Sequence, residues 1–297
     1  MVNVSSVVVF SPAKLNLLLA ITGRRADGFH DLVSVVVPVK FGDTLRAEAT
    51  GDGKFSLVCD DPAVPLDETN LILRAAKLFK EAAGGSPGAR FVLEKRIPMG
   101  AGLGGGSSNA VAALHALNQL GPQSLARDVL LNLAIKLGSD CALFLHGRPL
   151  VMRGRGEHIE PLAAKACARL CGRRVLIFKP NFGIATAWAY SRMAAGAPAT
   201  YLPLVEVETR LSRWISSDDP AENLLFNNME RPAFAKYVAL PTLLEQLRAE
   251  FGLAVAMSGS GSACFALLGD NTSVVAVTKR VREAWGAHTF IVDTEIV

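Results

Sequence analysis

A glycine-rich segment with two serines at its end is the part of the sequence whose residue types best fit chemistry on an anion. It runs from Pro98 to Ser108, here called the glycine loop, and five of the seven residues from 100 to 106 are glycine. Glycines allow positive φ and a close approach of the backbone to a ligand. The free N–H groups at the start of a helix also favour an anion. A strand pattern before the loop and an apolar helical pattern after it therefore predict a polyphosphate site. In that site Ser107 and Ser108 either cap the helix or bind phosphate oxygens or a metal.

The glycine loop matches neither of two common phosphate-binding patterns completely. A P-loop requires a lysine directly after the glycines, and none follows here. The dinucleotide fingerprint is present as Gly100, Gly102 and Gly105, but the acidic residue in the expected range, Asp128, lies inside a second helical pattern rather than at a strand end. A flexible linker is the remaining alternative, although a linker needs neither the preceding strand nor the following helix.

Two charged residues are candidates for a reaction at the bound phosphate. Lys14 lies inside an apolar strand pattern, and the strand period places Asn16 on the same face. Asp140 lies between a helix end and an apolar run, where a carboxylate can face a cleft. In phosphoryl transfer, a cation neutralises charge and a carboxylate accepts a proton. The alternatives are a lysine that protects a strand edge and an aspartate that only caps a helix or lies in a turn. Sequence spacing does not show that the two meet.

Two further segments allow two interpretations each. His30 follows a turn at Asp27 and Gly28, so it either binds a base or lies on an ordinary loop. The segment Ser258–Ser262 is either a second nest for a phosphate or a tight connection between strands, because small residues allow both.

Composition and length exclude several protein classes. The chain has 297 residues, of which 50% are apolar and 20% charged, and a net charge of +4. This length allows two domains, and the small positive charge suits anionic small molecules rather than nucleic acid. The cysteines follow no disulfide or zinc spacing, and no apolar run reaches the ~20 residues that a membrane span requires. We expect a cytoplasmic protein that binds neither nucleic acid nor a membrane.

The predicted elements change in character after residue 163. Strand patterns occur at 7–10, 13–21, 32–39, 44–50, 54–59, 89–95, 149–153 and 157–162, and helical patterns at 70–83, from 110 and at 124–137. In the second half, strands are predicted at 174–179, 253–257, 263–268 and 289–292, and helices at 184–195, 241–250 and 273–285. A helical region is predicted to begin at 222–229, whereas 197–219 has no interpretable pattern. This predicts a larger domain at 1–163 and a smaller α+β layer at 164–297.

Three motifs resemble, in their order and spacing, the GHMP kinases, the family of galactokinase, homoserine kinase and mevalonate kinase. They are Ser11–Lys14, the glycine loop and Met257–Ser262. Further segments resemble the branch of that family that phosphorylates a cytidine-diphosphate-linked methylerythritol: Pro12–Leu17, Thr22–His30, Thr69–Ile72 and Gly138–Asp140. The resemblance implies an α+β fold with an N-terminal domain like domain 2 of ribosomal protein S5 and a ferredoxin-like C-terminal domain. It places the active site in the cleft between them.

The resemblance also implies a role for the candidate catalytic and ATP-binding residues. Asp140 would take the proton from the substrate's 2-hydroxyl, and Lys14 would keep Asp140 ionised and stabilise charge on that oxygen, work typically worth ~10²–10⁴-fold in rate. Asn70 would lie near the adenine. The ATP phosphates would lie along Pro98, Met99, Gly100, Ala101, Gly102, Leu103, Gly104, Gly105, Gly106, Ser107 and Ser108. Mg²⁺ would bridge phosphate oxygens, and its protein ligands are not identified.

For the second substrate, the resemblance implies a pocket for cytosine. Phe29 would stack on the base and His30 would hydrogen-bond to it, while Thr186 and Tyr190 would close the other side. Asn16 would contact the methylerythritol end. The family usually has Tyr where Phe29 stands, so stacking is kept and a phenolic hydrogen bond is lost. After the catalytic Asp the family usually has Val-Pro, and Cys141-Ala142 stands here.

Two other functions remain open from the sequence. One is a kinase for another small alcohol, such as homoserine or mevalonate, which would need no cytosine pocket at residues 27–30. The other is a nucleotide-binding regulator without turnover, which would need neither Lys14 nor Asp140. The expected partner is a small-molecule substrate, and the chain is expected to be a monomer or a homodimer.

Overall fold

The computed structural model describes residues 6–121 and 124–297, and the chain forms two compact units. The described part of the first lies within Met1–Ala13, Gly42–Pro98 and Gly104–Gly147. The second comprises Lys14–Phe41, Met99–Leu103 and Arg148–Val297. Both units are assembled from separate stretches of chain. The predicted division at 1–163 and 164–297 stays a prediction about domains.

The first unit contains parts of two long strands and a layer of helices. Its elements are the first part of β1 (Ser6–Arg24), the last part of β2 (His30–Ala49), β3 (Phe55–Cys59), α1 (Leu71–Ala82), β4 (Ala89–Glu94), α2 (Gly105–Leu120), α3 (Arg127–Leu137) and α4 (Cys141–Phe144). β4 pairs antiparallel with β2 over Thr44–Ala49 and parallel with β3. Helix α1 buries Ile72, Ala75 and Phe79, which recur at the spacing of one helical face.

The second unit contains the remaining parts of β1 and β2 and most of the other elements. These are β5 (Leu150–Gly154), β6 (His158–Pro161), α5 (Ala164–Ala168), β7 (Arg174–Lys179), α6 (Thr186–Ala195), α7 (Leu204–Ser216), β8 (Phe226–Asn227), α8 (Glu230–Lys236), α9 (Ala239–Phe251), β9 (Ala254–Met257), β10 (Cys264–Leu267), α10 (Val274–Trp285) and β11 (Phe290–Glu295). Strand β2 pairs with β5, and β1 pairs with β8 at Leu18 and Leu19.

A four-stranded antiparallel sheet organises the core of the second unit. Its strand order is β11-β7-β10-β9, which is the order of a ferredoxin-like βαββαβ unit. Phe178, Leu243 and Val281 are fully or almost fully buried in the cluster that joins this sheet to its helices. The mixed α and β content of the prediction is confirmed.

Both long strands differ from the sequence prediction, which divided each of them in two. β1 continues through Pro12, and β8 pairs with β1 only further along the strand, at Leu18 and Leu19. β2 continues through Gly42, where a Cβ would lie 2.2 Å from the carbonyl oxygen of Ser11. Proline and glycine often mark the end of a strand, but Pro12 and Gly42 lie inside continuous strands.

The stretch between residues 197 and 240 also differs from the prediction. Helix α7 lies in the part without an interpretable pattern, and it buries Val207, Leu211 and Trp214. The helical region predicted from 222 is wrong for most of its length. A 3-10 turn at Ala221–Leu224 is followed by the two-residue strand β8, and helix α8 begins only at Glu230. Within the described part of the chain, no helix has both the length and the apolar character needed to cross a bilayer.

Candidate active site

The end of the glycine loop forms the start of helix α2. Gly104 is the residue before the helix and has a left-handed φ of 73°, a conformation that glycine adopts without a Cβ penalty. In the described part of the chain no side-chain hydrogen bond caps α2, so Ser107 and Ser108 do not cap it, and their binding of phosphate or a metal stays a prediction. The first turn contains no acidic residue. Its N–H groups and the positive end of the helix dipole therefore favour an anion at this position.

The middle of the glycine loop is held by the segment Ser258–Ser262 within the second unit. Ser258 Oγ donates to the carbonyl oxygen of Gly102 over 3.1 Å, and the amide of Ala263 donates to that of Ala101 over 3.0 Å. Gly102 has a φ of 75°, and a Cβ there would lie 2.2 Å from the backbone oxygen of Ser258. This close backbone approach requires glycine. The segment connects the antiparallel strands β9 and β10, as one of its two sequence interpretations predicts.

The two serines of the loop have different partners inside the first unit. Ser108 is buried, and its hydroxyl accepts a hydrogen bond from Ser11 over 2.8 Å. The Ser107 hydroxyl is only partly buried and hydrogen-bonds to the thiol of Cys141. Burial raises the pKa of that thiol to about 11 although this bond opposes the shift. The Cys141 side chain is thus a neutral neighbour of Ser107.

Asn70 stands beside the start of α2 but uses its amide locally. Its Oδ1 accepts from the amide of Ile72 over 2.9 Å and caps α1, and its Nδ2 donates to the carbonyl of Pro65 over 2.7 Å. The next residue, Leu71, lies 3.8 Å from the position that a Cβ on Gly106 would take. Asn70 is therefore near the loop, while its proximity to an adenine stays a prediction.

Lys14 and Asn16 lie on the same face of β1, as the strand period predicts. Lys14 Nζ donates to Asn16 Oδ1 over 2.5 Å, and both side chains are at least nine-tenths buried. Asn16 Nδ2 donates to Ser34 Oγ over 2.8 Å, which fixes the orientation of the amide. The backbone of Gly259 is close, because a Cβ there would lie 3.3 Å from Lys14 Nζ. Lys14 Nζ thus donates to the amide oxygen of Asn16 and lies close to the backbone of Gly259.

Asp140 precedes α4 in the first unit. Its backbone is helical, with φ −84° and ψ −10°, and in the described part of the chain its side chain makes no cap hydrogen bond to α4. A side-chain helix cap is therefore excluded, whereas residue 140 does lie in a turn. The side chain is partly buried, and the following residues of α4 are buried. This fixes the backbone from which the carboxylate projects.

The turn between β1 and β2 presents one aromatic ring to solvent and buries another. Phe29 is 53% exposed, and its amide donates to Asp27 Oδ1 over 3.1 Å. The ring of His30 lies 4.9 Å from that of Tyr190 and 5.9 Å from that of Tyr201, measured between centroids. Burial, together with the charge of Arg24, lowers the pKa of His30, so the imidazole is neutral at pH 7.

Thr186 and Tyr190 both belong to α6, but they contact different parts of the second unit. Thr186 Oγ1 and Ser260 Oγ share a hydrogen bond of 3.0 Å, whereas Tyr190 lies against His30. The structure thus brings Thr186 to the Ser258–Ser262 segment and Tyr190 to the β1–β2 turn. Only the second of these contacts fits the pocket that the sequence predicts.

Sequence reasoning missed two residues at the β1–β2 turn. The guanidinium carbon of Arg155 lies 4.7 Å from the ring centroid of Phe29, and Tyr201 contacts His30. The Tyr201 hydroxyl and His30 Nε2 are both buried with no hydrogen-bond partner among the described residues. Arg155 lies in the glycine turn between β5 and β6 and Tyr201 in a stretch without a pattern. Nothing in their local sequence indicates these contacts.

Most of the chain matches known proteins in sequence. Residues 70–148 match the family model "GHMP kinases N terminal domain", and residues 214–287 match "GHMP kinases C terminal". A 4-diphosphocytidyl-2-C-methyl-D-erythritol kinase of Prochlorococcus marinus (strain MIT 9303) is 39% identical over 292 residues, which cover 95% of this chain and 90% of the relative.

Solved structures give the same result for the fold. A crystal structure of 4-(cytidine 5'-diphospho)-2C-methyl-D-erythritol kinase is 36% identical, with a TM-score of 0.77 over 97% of this chain and 99% of that one. The mevalonate kinase of Methanococcus jannaschii has a TM-score of 0.75 over 99% of both chains, but only 14% identity. The second likeness shows a shared fold alone.

Proposed function

This chain belongs to the GHMP kinase family, in the branch of the 4-diphosphocytidyl-2-C-methyl-D-erythritol kinases, and from that premise we propose its reaction. It transfers a phosphoryl group from ATP to the 2-hydroxyl of 4-diphosphocytidyl-2-C-methyl-D-erythritol, a step in the non-mevalonate route to isoprenoid precursors. The observation that carries this proposal is identity of 39% over 95% of the chain with a kinase of that name. The mevalonate kinase shares the fold at 14% identity, so a mevalonate-type activity is not favoured.

The glycine loop fits the triphosphate of ATP. Gly100, Gly102 and Gly104 all have positive φ, and no acidic residue stands in the first turn of α2. Backbone N–H groups and a helix dipole are therefore available to oxygen anions without a nearby carboxylate to repel them. ATP with a divalent cation supplies the phosphoryl group and shields its charge. Among the described residues no cluster of three His, Cys, Asp or Glu could hold a metal ion. Mg²⁺ would accompany ATP, and the Ser107 hydroxyl in the first turn of α2 would be available to it as a ligand.

Asp140 and Lys14 have different proposed roles at the substrate hydroxyl. The Asp140 carboxylate accepts the proton of the 2-hydroxyl, and the Lys14 ammonium stabilises the negative charge that develops on the oxygen. Asn16 supports this assignment because its amide oxygen holds Lys14 Nζ at 2.5 Å. A buried lysine whose ammonium is already oriented loses little entropy when it meets the developing charge.

The β1–β2 turn holds the cytidine end of the substrate. Phe29 offers an exposed ring face for stacking, and neutral His30 offers a ring nitrogen for a hydrogen bond to the base. Tyr190 supports the imidazole from α6. The proposed substrate is a small molecule, whereas a cytoplasmic location and a monomer or homodimer stay predictions.

The test is ADP release by the purified protein with ATP and Mg²⁺. The cytidylated methylerythritol, homoserine and mevalonate are offered in parallel, and Asp140→Asn is compared with Asp128→Asn, an exposed acid on α3 of the same unit. We expect turnover only with the cytidylated substrate, a ~10²–10⁴-fold loss in Asp140→Asn and no loss in Asp128→Asn. ADP release with another alcohol would overturn the proposed identity of the substrate. Tight ATP binding without turnover would overturn the catalytic assignment.

A further inference from the structure

Asp43 is a completely buried carboxylate in β2 of the first unit, with an exposed fraction of 0%. Burial of a charge is costly unless partners replace the lost water. Oδ1 of Asp43 accepts from the amides of Arg96 and Ile97, both over 2.7 Å. Oδ2 accepts from Lys95 Nζ over 2.6 Å and from Asn109 Nδ2 over 2.9 Å. Four donors, one of them charged, therefore converge on one side chain.

These donors stand on both sides of the glycine loop. Lys95, Arg96 and Ile97 directly precede Pro98, and Asn109 directly follows Ser108 in the first turns of α2. Asn109 Nδ2 also donates to Ser11 Oγ over 2.8 Å. The Ser11 hydroxyl donates to Ser108, so the last residue of the loop is joined to the same group of side chains. One carboxylate thus fixes the entry and the exit of the loop.

Lys95 is directed into this group rather than away from it. Its ammonium also donates to the carbonyl oxygen of Ile97 over 2.5 Å, and its side chain is only 6% exposed. The Lys95 ammonium therefore contacts Asp43 and the backbone at the start of the loop.

We propose that Asp43 is a positioning residue for the phosphates of the nucleotide, acting through the backbone of the glycine loop. The inference rests on the proposed function for the identity of the nucleotide. A loop with this many glycines has a high conformational entropy when free, so backbone N–H groups bind phosphate well only if the ends of the loop are already fixed. Asp43 supplies that constraint through its four hydrogen bonds.

The experiment compares nucleotide affinity with cytidine affinity in the full chain. Asp43→Asn keeps the shape of the side chain, removes its charge and turns an N–H₂ group towards donors. Calorimetry with ATP and with cytidine 5'-diphosphate is expected to show at least ~10-fold weaker ATP binding and an unchanged affinity for cytidine 5'-diphosphate. With turnover, the KM for ATP rises by the same factor, and the KM for the alcohol substrate does not.

Two further variants separate positioning from simple destabilisation. Asn109→Leu removes only the donor on the exit side and is expected to weaken ATP binding less, in the same direction, even if Asp43→Asn does not fold. Phe91→Leu changes a fully buried ring in β4 of the same unit and is expected to lower the melting temperature without changing ATP affinity.

The proposal is wrong if Asp43→Asn and Asn109→Leu lower the melting temperature and leave ATP affinity unchanged, as Phe91→Leu does. It is also wrong if both ligands lose affinity equally, since that indicates a general disturbance. Failure of the proposed function can be distinguished from failure of this proposal. ATP affinity is measured without the alcohol substrate, so it does not depend on which alcohol the enzyme phosphorylates.

Discussion

The guanidinium of Arg155 lies over the ring of Phe29, with 4.7 Å between its central carbon and the ring centroid. One face of the ring is covered by this contact, and 53% of the residue stays exposed. The Arg155 backbone is itself fixed, because its amide donates to Glu157 Oε2 over 2.5 Å. An exposed aromatic ring in a turn is thereby held in one orientation.

Arg155→Ala is expected to weaken binding of cytidine about 2- to 5-fold, because a cation–π contact at an exposed site contributes about that factor in affinity. ATP affinity is expected to stay unchanged. Calorimetry with cytidine, cytidine 5'-diphosphate and ATP measures all three. Arg148→Ala is the control, since it removes an exposed arginine of the same unit. An effect on the diphosphate but not on cytidine would show that Arg155 acts on phosphate instead of on Phe29.

Gly102→Ala is expected to reduce ATP affinity by more than ~10-fold, because its methyl group would meet the backbone oxygen of Ser258 at 2.2 Å. Gly84→Ala is the matched control. Its φ of 67° is similarly positive, but no atom beyond its chain neighbours lies within 4 Å of the place that the new methyl group would take. Both variants carry the strain of a left-handed residue, roughly 1–2 kcal/mol. Equal effects of the two on ATP binding would show that strain alone, rather than the contact with Ser258, matters.

The cysteines are expected to react selectively with iodoacetamide in the native protein. Cys171 is exposed, whereas Cys141 is buried and its pKa is raised to about 11, so its thiol is protonated at pH 8. Mass spectrometry after treatment at pH 8 should find the label on Cys171, absent from Cys141, with kinase activity retained. Labelling of Cys141 before Cys171, or inactivation parallel to labelling of Cys171, would contradict this arrangement.

Stability is expected to fall as the pH is lowered below about 6.5. The folded-state pKa of His30 is lowered by burial and by Arg24, and that of His115 by burial and by Arg127. The unfolded chain therefore binds these protons first, and the loss continues until the pH is below the folded pKa values. Melting temperatures between pH 7.5 and 5.5 should fall less in His30→Gln and in His115→Gln than in the parent.

His158→Gln is the control for this pH dependence, because His158 is exposed on β6. Its melting temperatures should fall as steeply as those of the parent. A parent whose melting temperature is constant over this range would contradict the burial of His30 and His115 as the cause.

The sequence correctly predicted the elements that are determined by neighbouring residues. Asn70 caps α1 next to the predicted helix start, and the strand pair at 149–162 needs only its glycine turn. The two-residue strand β8 could not be predicted, because it exists only through its pairing with Leu18 and Leu19 of β1. A strand of two residues is too short to show an alternating pattern, whatever its residue types are.

The same limit applies to the site. The glycine loop and the pair Lys14 and Asn16 could be recognised because their residues are close in sequence. Asp43 could not, because its partners lie more than 50 positions away and its own surroundings read as a gap between two strands. Arg155 is a similar case, since only the folded chain brings it to Phe29.

The chain passes from one compact unit to the other at 13/14, 41/42, 98/99, 103/104 and 147/148. A single recombination event between two related genes, placed at residue 163, would thus join one parent's Lys14–Phe41, Met99–Leu103 and residues 148–163 to another parent's residues 164–297. The residues packed in one core would then come from two ancestries. We therefore expect that exchanging whole segments between family members, in order to change substrate preference, needs matched junctions at several positions. A single crossover would separate residues that pack in the same core.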